Sequence, residues 1–167
     1  GGRNPTATAV RQLADAGCLV LVPMILSRND EYSGDPGVAF TNQTHREFLY
    51  RQAFEMGRHV IGFEIQKVLA AVDLLQQQDA PVSVGVMGVG EGGLLALYSA
   101  SLDPRIRVTL VSGYFQARES VWREPIYRNV WRLLTEFGDA EIAGMVAPRQ
   151  LIVEASGVKE VAGPPPA

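Results

Sequence analysis

The segment richest in chemical possibilities is a glycine-rich turn, GVGEGG at residues 88–93, between a predicted strand and a predicted helix. Its glycines at 88 and 92 match the G-x-S-x-G pattern of a nucleophile elbow, a tight turn that presents a catalytic hydroxyl. Gly93 allows the following helix to pack closely. The hydroxyl would belong at residue 90, which is Gly. Because glycine has no side chain that attacks a carbonyl group, we expect no covalent chemistry at Gly90.

The same turn also fits a second kind of site. Gly88, Gly90 and Gly93 match the G-x-G-x-x-G pattern of a Rossmann-type dinucleotide-binding turn, for which NAD or NADP would be the cofactor. Against this alternative, Glu91 places a carboxylate where the pyrophosphate would bind. The next strand also ends at Ser112 rather than at an acidic residue for the ribose. Titration with NAD or NADP distinguishes the two interpretations.

Two side chains near the turn are candidate catalytic groups. Glu91 lies at the mouth of the turn, and His59 lies at the start of a long predicted helix. Together they could act on a bound water as general base and acid, which would make the protein a divergent hydrolase. The alternative is structural: Glu91 would be stabilised by the helix dipole, and His59 would be a satisfied structural residue. We favour the structural interpretation of both residues.

Composition excludes several classes of partner. The chain has 15 basic and 18 acidic residues, so it has no surplus of basic residues to neutralise a nucleic-acid backbone. The longest apolar run, residues 18–26, is interrupted by Pro23 and is shorter than the roughly 20 residues of a membrane span. With one cysteine and two histidines, we expect no metal and no cofactor. The lack of an apolar leader and the single Cys18 favour a cytoplasmic protein.

The apolar periodicity predicts alternating helices and strands. The predicted helices cover residues 5–16, 45–56, 58–78 and 94–101. The predicted strands are apolar throughout and cover residues 18–23, 82–88, 106–111 and 150–154. We expect Cys18 to be a small core residue of the first strand, and Glu64 lies off the apolar stripe of the long helix. This alternation is typical of an α/β protein, with a mostly parallel sheet flanked by helices on both faces.

An aromatic-rich excursion, residues 112–147, separates the third and fourth predicted strands. It carries six aromatic side chains and two predicted short helices, near 121–135 and 139–146. It would be either a lid that lines an apolar pocket or a small core beneath a long connection, and we favour the small core. We expect residues 1–156 to form one domain and the Pro-rich tail, residues 157–167, to be disordered.

Several blocks in this order resemble the acetyl-xylan-esterase and dienelactone-hydrolase-like branch of the α/β-hydrolases. They are residues 56–62, 84–93, 100–106, 111–114, 138–144 and 147–149. The resemblance covers about residues 5 to 156. It implies a partial α/β-hydrolase fold and a parent activity of carboxylic ester hydrolysis, with an acetylated carbohydrate as one candidate substrate. It also implies a Ser, acid, His triad in that chain order.

The resemblance implies which parts of the triad this chain holds. The four predicted strands would be the family's fourth to seventh, so we expect the chain to be a fragment. The family's acid would follow the last strand, near Glu154 or Glu160. Its His would lie beyond residue 167. We therefore expect an esterase-like pseudoenzyme that binds a small ester or carbohydrate-like ligand. The family's third strand is not among the predicted strands, so one edge of the sheet would be exposed. Pairing through this edge could form an oligomer.

Overall fold

The computed structural model describes residues 5–29, 43–79 and 81–155. Its helices are α1 (Pro5–Asp15), α2 (His45–Glu55), α3 (Val60–Gln76), α4 (Glu91–Leu102), α5 (Leu133–Glu136) and α6 (Asp139–Gly144). Its strands are β1 (Val84–Val89), β2 (Ile106–Ser112) and β3 (Gln150–Glu154). Two single 3-10 turns span Val121–Arg123 and Ile126–Arg128. Glu160, most of the predicted loop 27–44 and the predicted tail lie outside the described residues.

The three strands form one parallel sheet in the order β1-β2-β3. Gly88 pairs with Val111, and Val111 pairs in turn with Val153, so the carboxyl ends of all three strands lie at one edge. The predicted α/β class is confirmed: this is a parallel sheet flanked by helices.

Helix α4 forms the centre of the core. It packs on β1 and β2, while α3 and α6 pack against α4 itself. Leu94, Leu97 and Ala100 of α4 are fully buried, as are Ile106 and Val111 of β2. Because α4 carries apolar side chains on every side, it suits a helix that is enclosed by the sheet on one side and by other helices on the rest.

The opposite face of the sheet is open in the described part of the chain. Side chains alternate along a strand, so Met87 and Val89 point away from the face that α4 covers. They are 44% and 53% exposed, and Ile152 of β3, which is in register with Met87, is also exposed. The expectation of helices on both faces therefore holds for one face only among the described residues.

The predicted strand at 18–23 is wrong. The segment belongs to no helix or strand, and it pairs with no strand in the described residues. Side chains of α3 bind the residues that follow it: Glu64 accepts a hydrogen bond from the Leu26 N–H at 2.7 Å, and Lys67 donates to the Met24 carbonyl at 3.2 Å. A strand needs a hydrogen-bonded neighbour as well as an apolar sequence.

Cys18 also differs from its prediction. Its side chain is exposed rather than part of the core. The reason is the same, because without a neighbouring strand the segment that follows α1 does not enter the sheet.

Glycines end the first two helices as predicted. Gly17 and Gly57 take left-handed conformations, with φ of 89° and 68°. Glycine adopts this conformation without the steric penalty of a side chain. Thr44 is the N-cap of α2, and its hydroxyl accepts a hydrogen bond from the Glu47 N–H.

In residues 5–29, 43–79 and 81–155, no helix is long and apolar enough to cross a membrane.

The excursion after β2 is built from turns and very short helices. We call residues 114–137 the strap. Its 3-10 turn Ile126–Arg128 packs on α2 and α3. Of the two predicted short helices, the one near 139–146 corresponds to α6. The other, near 121–135, is replaced by two 3-10 turns and α5.

Candidate functional site

The turn between β1 and α4 has the sharp geometry of a nucleophile elbow. Its apex, Gly90, has φ 58° and ψ −116°, a combination that residues with side chains rarely adopt. The Gly90 N–H donates to the Ser112 carbonyl at 2.8 Å, which ties the apex to the end of β2. The Gly90 carbonyl accepts from the Leu94 N–H at 3.1 Å and opens α4.

The glycines of the turn have different reasons to be glycine. A Cβ at Gly88 would overlap the carbonyl group of Gly92, and a Cβ at Gly93 would lie 3.0 Å from the Ser112 carbonyl oxygen. At Gly90 and Gly92 a Cβ would meet nothing within 4 Å. Close backbone approach therefore requires Gly88. Space for a side chain exists at Gly90, but residue 90 provides no nucleophile.

Glu91, the first residue of α4, is buried and bound on both carboxylate oxygens. Its Oε1 accepts from Nη2 of Arg46 at 3.0 Å, and its Oε2 accepts from Nε of Arg128 at 2.9 Å. Two guanidinium groups thus surround a carboxylate that is only 2% exposed. This arrangement compensates the charge of Glu91 in the protein interior. It favours the structural interpretation, and a catalytic role for Glu91 stays a prediction.

The Glu91 ion pairs belong to a larger buried network. Arg46 also pairs with Glu64 of α3. Arg128 also donates to Glu124 at 3.1 Å, and Arg118 donates to the other Glu124 oxygen at 2.8 Å. The network therefore joins α2, α3, the elbow and the strap through three arginines and three glutamates.

The network was not predicted from the sequence. Glu64 was placed off the apolar stripe of α3, yet it is buried because Arg46 of α2 reaches it. Arg46, Glu91 and Arg128 are far apart along the chain, so no local spacing relates them. The sequence feature that could have indicated the network is the placement of charged residues next to aromatic ones, as at Tyr127 and Arg128.

His59 caps the start of α3. Its Nδ1 accepts from the Ile61 N–H at 3.2 Å, and its ring meets the Tyr50 ring edge-on, with 5.1 Å between centroids. Burial lowers the pKa of the imidazole, so the neutral form is favoured. These contacts favour the structural interpretation of His59, and its pairing with Glu91 as acid and base also stays a prediction.

Glu154 lies at the same edge of the sheet as the elbow. It ends β3 in register with Ser112, which pairs with Val89 beside the apex. Its side chain is exposed, and its carbonyl accepts from the Gly113 N–H at 3.5 Å. Glu154 therefore occupies the expected side of the sheet for an acid. The role itself stays a prediction, as does that of Glu160, which lies outside the described residues.

Two open depressions in the described surface lie away from the elbow. One, of about 400 Å³, lies between residues 21–24 and Lys67, Ala70 and Ala71 of α3. The other, of about 590 Å³, lies at the opposite end of the strands, beside Arg105 and Arg107. No three His, Cys, Asp or Glu side chains in the described part of the chain cluster as metal ligands would.

A parallel sheet with a sharp glycine-rich turn leading from a strand into a helix, as from β1 into α4, is the arrangement of the α/β-hydrolase class. More narrowly, the chain belongs to the dienelactone hydrolase family, whose family model matches residues 1–120. The resemblance drawn from the sequence is thereby confirmed. Membership also favours the elbow interpretation of residues 88–93 over the dinucleotide-binding one.

A relative from Bacillus subtilis (strain 168) carries the name "Putative hydrolase YtaP". It is 28% identical over 109 residues, which cover 60% of this chain and 36% of that protein. The matched part thus amounts to about a third of the relative's length. No solved structure matches the chain.

Proposed function

We propose that this chain is a hydrolase-family domain that no longer hydrolyses esters through a covalent intermediate and instead binds a small ester or carbohydrate-like ligand. The observation that carries this proposal is the residue at the elbow apex. Gly90 keeps the backbone geometry of the turn but provides no attacking atom. Membership of the dienelactone hydrolase family supports the parent activity, cleavage of a carboxylic ester.

The mechanism of serine hydrolases indicates which functional groups the proposed loss of ester hydrolysis involves. A serine hydrolase needs a hydroxyl to attack, an imidazole to take its proton and a carboxylate to orient the imidazole. Residue 90 lacks the hydroxyl, and the candidate imidazole, that of His59, uses Nδ1 to cap α3. Both Glu91 oxygens accept hydrogen bonds from arginines, so this carboxylate is poorly placed to activate water.

A turnover assay tests the loss of activity. The purified chain, Gly90→Ala and Glu91→Gln are each incubated with p-nitrophenyl acetate, and folding is checked by circular dichroism. We expect the wild-type chain to release p-nitrophenol no faster than Gly90→Ala or a protein-free control. Wild-type turnover that a folded Glu91→Gln variant loses would contradict the proposal and support the divergent hydrolase.

A binding measurement tests the ligand. Acetylated xylose and methyl acetate are titrated into labelled protein, and amide chemical shifts are followed by NMR. We expect shifts at residues 88–93 and at the end of β2, because these meet at the carboxyl edge of the sheet. Gly90→Leu fills the space above the apex and should abolish them, whereas Gly62→Ala, in α3, should not. Shifts elsewhere, or none, would contradict ligand binding at the elbow.

A further inference from the structure

An apolar depression lies between the segment that follows α1 and helix α3. Residues 21–24 line one side of it, and Lys67, Ala70 and Ala71 of α3 line the other. Its volume of about 400 Å³ is within the range of small-molecule sites, roughly 300–1,000 Å³. Because an alanine side chain is a single methyl group, the two alanines leave this space open on the side of the helix.

The side formed by residues 21–24 exposes much apolar surface. Leu21, Val22 and Met24 are 38%, 63% and 85% exposed. Single exposed apolar residues are common in folded proteins, but several together beside a concave surface are typical of a binding site. Methionine is also flexible enough to adapt to an apolar partner. The depression therefore suits a hydrocarbon chain.

Lys67 is the charged residue of the lining. A backbone carbonyl of the opposite side accepts one of its hydrogen bonds at 3.2 Å, and the ammonium group keeps further N–H groups for another acceptor. The carboxylates of α3, Glu64 and Asp73, are bound by Arg46 and Arg105 instead. No carboxylate in the described part of the chain pairs with Lys67. The depression thus combines apolar walls with a positive charge that has no counter-charge there.

We propose that this depression binds a small amphipathic carboxylate, such as a medium-chain fatty acid. Its carboxylate would accept from the ammonium group of Lys67, and its hydrocarbon chain would lie between residues 21–24 and the two alanines of α3. Burial of the chain supplies the affinity, and the charge-assisted hydrogen bond sets the orientation. The depression lies away from the elbow, so this inference is independent of the ligand proposed above.

Isothermal titration calorimetry of the full chain tests the chemistry of the ligand. Hexanoate, octanoate and decanoate are titrated below the concentrations at which they form micelles. We expect the affinity to rise about two- to fourfold with each added methylene group, because each one buries more apolar surface. Octanol and octylamine, which have no carboxylate, should bind about fivefold more weakly than octanoate.

Variants of the lining test the position of the ligand. Lys67→Gln should weaken octanoate about fivefold and leave octanol unchanged, whereas Lys67→Arg keeps the charge and should match wild type. Ala70→Trp fills the depression and should abolish binding. Ala140→Trp, at an exposed alanine of α6, is its control and should bind as wild type does. Gly90→Leu should also keep binding, which separates this site from the elbow.

Three results would overturn the inference. Equal affinities for octanoate, octanol and octylamine would show that Lys67 does not recognise a carboxylate. Full binding by Ala70→Trp would place the ligand elsewhere, and no heat with any of the three carboxylates would show that the depression takes no such ligand. If Ala70→Trp fails to fold, amide chemical shifts of the wild-type chain decide. Octanoate should then shift residues 21–24 and 67–71, and shifts confined to other residues would reject the proposal.

Discussion

At the scale of single residues, the candidate site combines a glycine at the apex of the turn with buried charged side chains that pair with one another. Gly90 takes the strained backbone conformation of a nucleophile without carrying one. Glu91 follows it and is bound by Arg46 and Arg128. Removing one charge from a buried pair typically destabilises a protein by about 3–5 kcal/mol, because the partner stays in the interior without compensation.

His59 gives a prediction for pH dependence. Burial lowers the pKa of its imidazole below the ordinary value of 6.5. As pH falls through that value, the unfolded chain takes up a proton that the folded protein does not. The free energy of unfolding should therefore fall between about pH 7.5 and pH 5.5. His59→Asn keeps a capping side chain and should lose less stability over this interval in urea unfolding. An equal loss in both proteins would contradict the prediction.

At the scale of elements, the elbow is set by how closely β1 approaches α4. The turn closes because residue 88 has no side chain, and the hydrogen bond from Gly90 to the Ser112 carbonyl aligns it with β2. Helix α4 then lies across both strands. The joint therefore depends on backbone geometry and on the absence of a side chain at residue 88.

Two glycine substitutions distinguish the effect of close backbone approach on stability from the effect of helix propensity. Gly88→Ala forces a Cβ into the carbonyl group of Gly92 and should lower the free energy of unfolding by more than about 3 kcal/mol. Gly92→Ala meets nothing within 4 Å and lies in α4. It should be neutral or stabilise by at most about 1 kcal/mol. Urea unfolding measures both changes. Similar values for the two variants would show that close approach does not determine the turn.

At the scale of the whole molecule, the sheet has one covered face and one open face among the described residues. Strand β1 also pairs on one side only there, with β2. Free apolar strand edges tend to pair with other chains. Association through this edge stays a prediction that sedimentation would test.

A matched pair of substitutions tests the two faces of the sheet. Val111 is fully buried beneath α4, whereas Val89 points to the open face. Val111→Ala should lower the free energy of unfolding by about 2 kcal/mol or more, through lost burial and a residual cavity. Val89→Ala should change it by less than about 0.5 kcal/mol. Thermal and urea unfolding report both. An equal loss would mean that Val89 is covered in solution.

Local patterns predicted much of the fold. The apolar stripe of α3, the glycines that end α1 and α2, and the strand, turn and helix around Gly90 all follow from spacing along a few residues. The resemblance of several such blocks identified the family. The segment at 18–23 was predicted wrongly because an apolar run has the same sequence whether or not a neighbouring strand is present to pair with it.

The sequence by itself determined the class of the protein and the absence of a nucleophile at residue 90, since both depend on residue types at short spacing. Only the tertiary structure decided that Glu91, Glu64 and Arg46 are buried together and joined to Arg128 of the strap. These residues come from distant parts of the chain. Whether a charged side chain is solvated or paired depends on which neighbours the fold brings to it, and no local pattern records that.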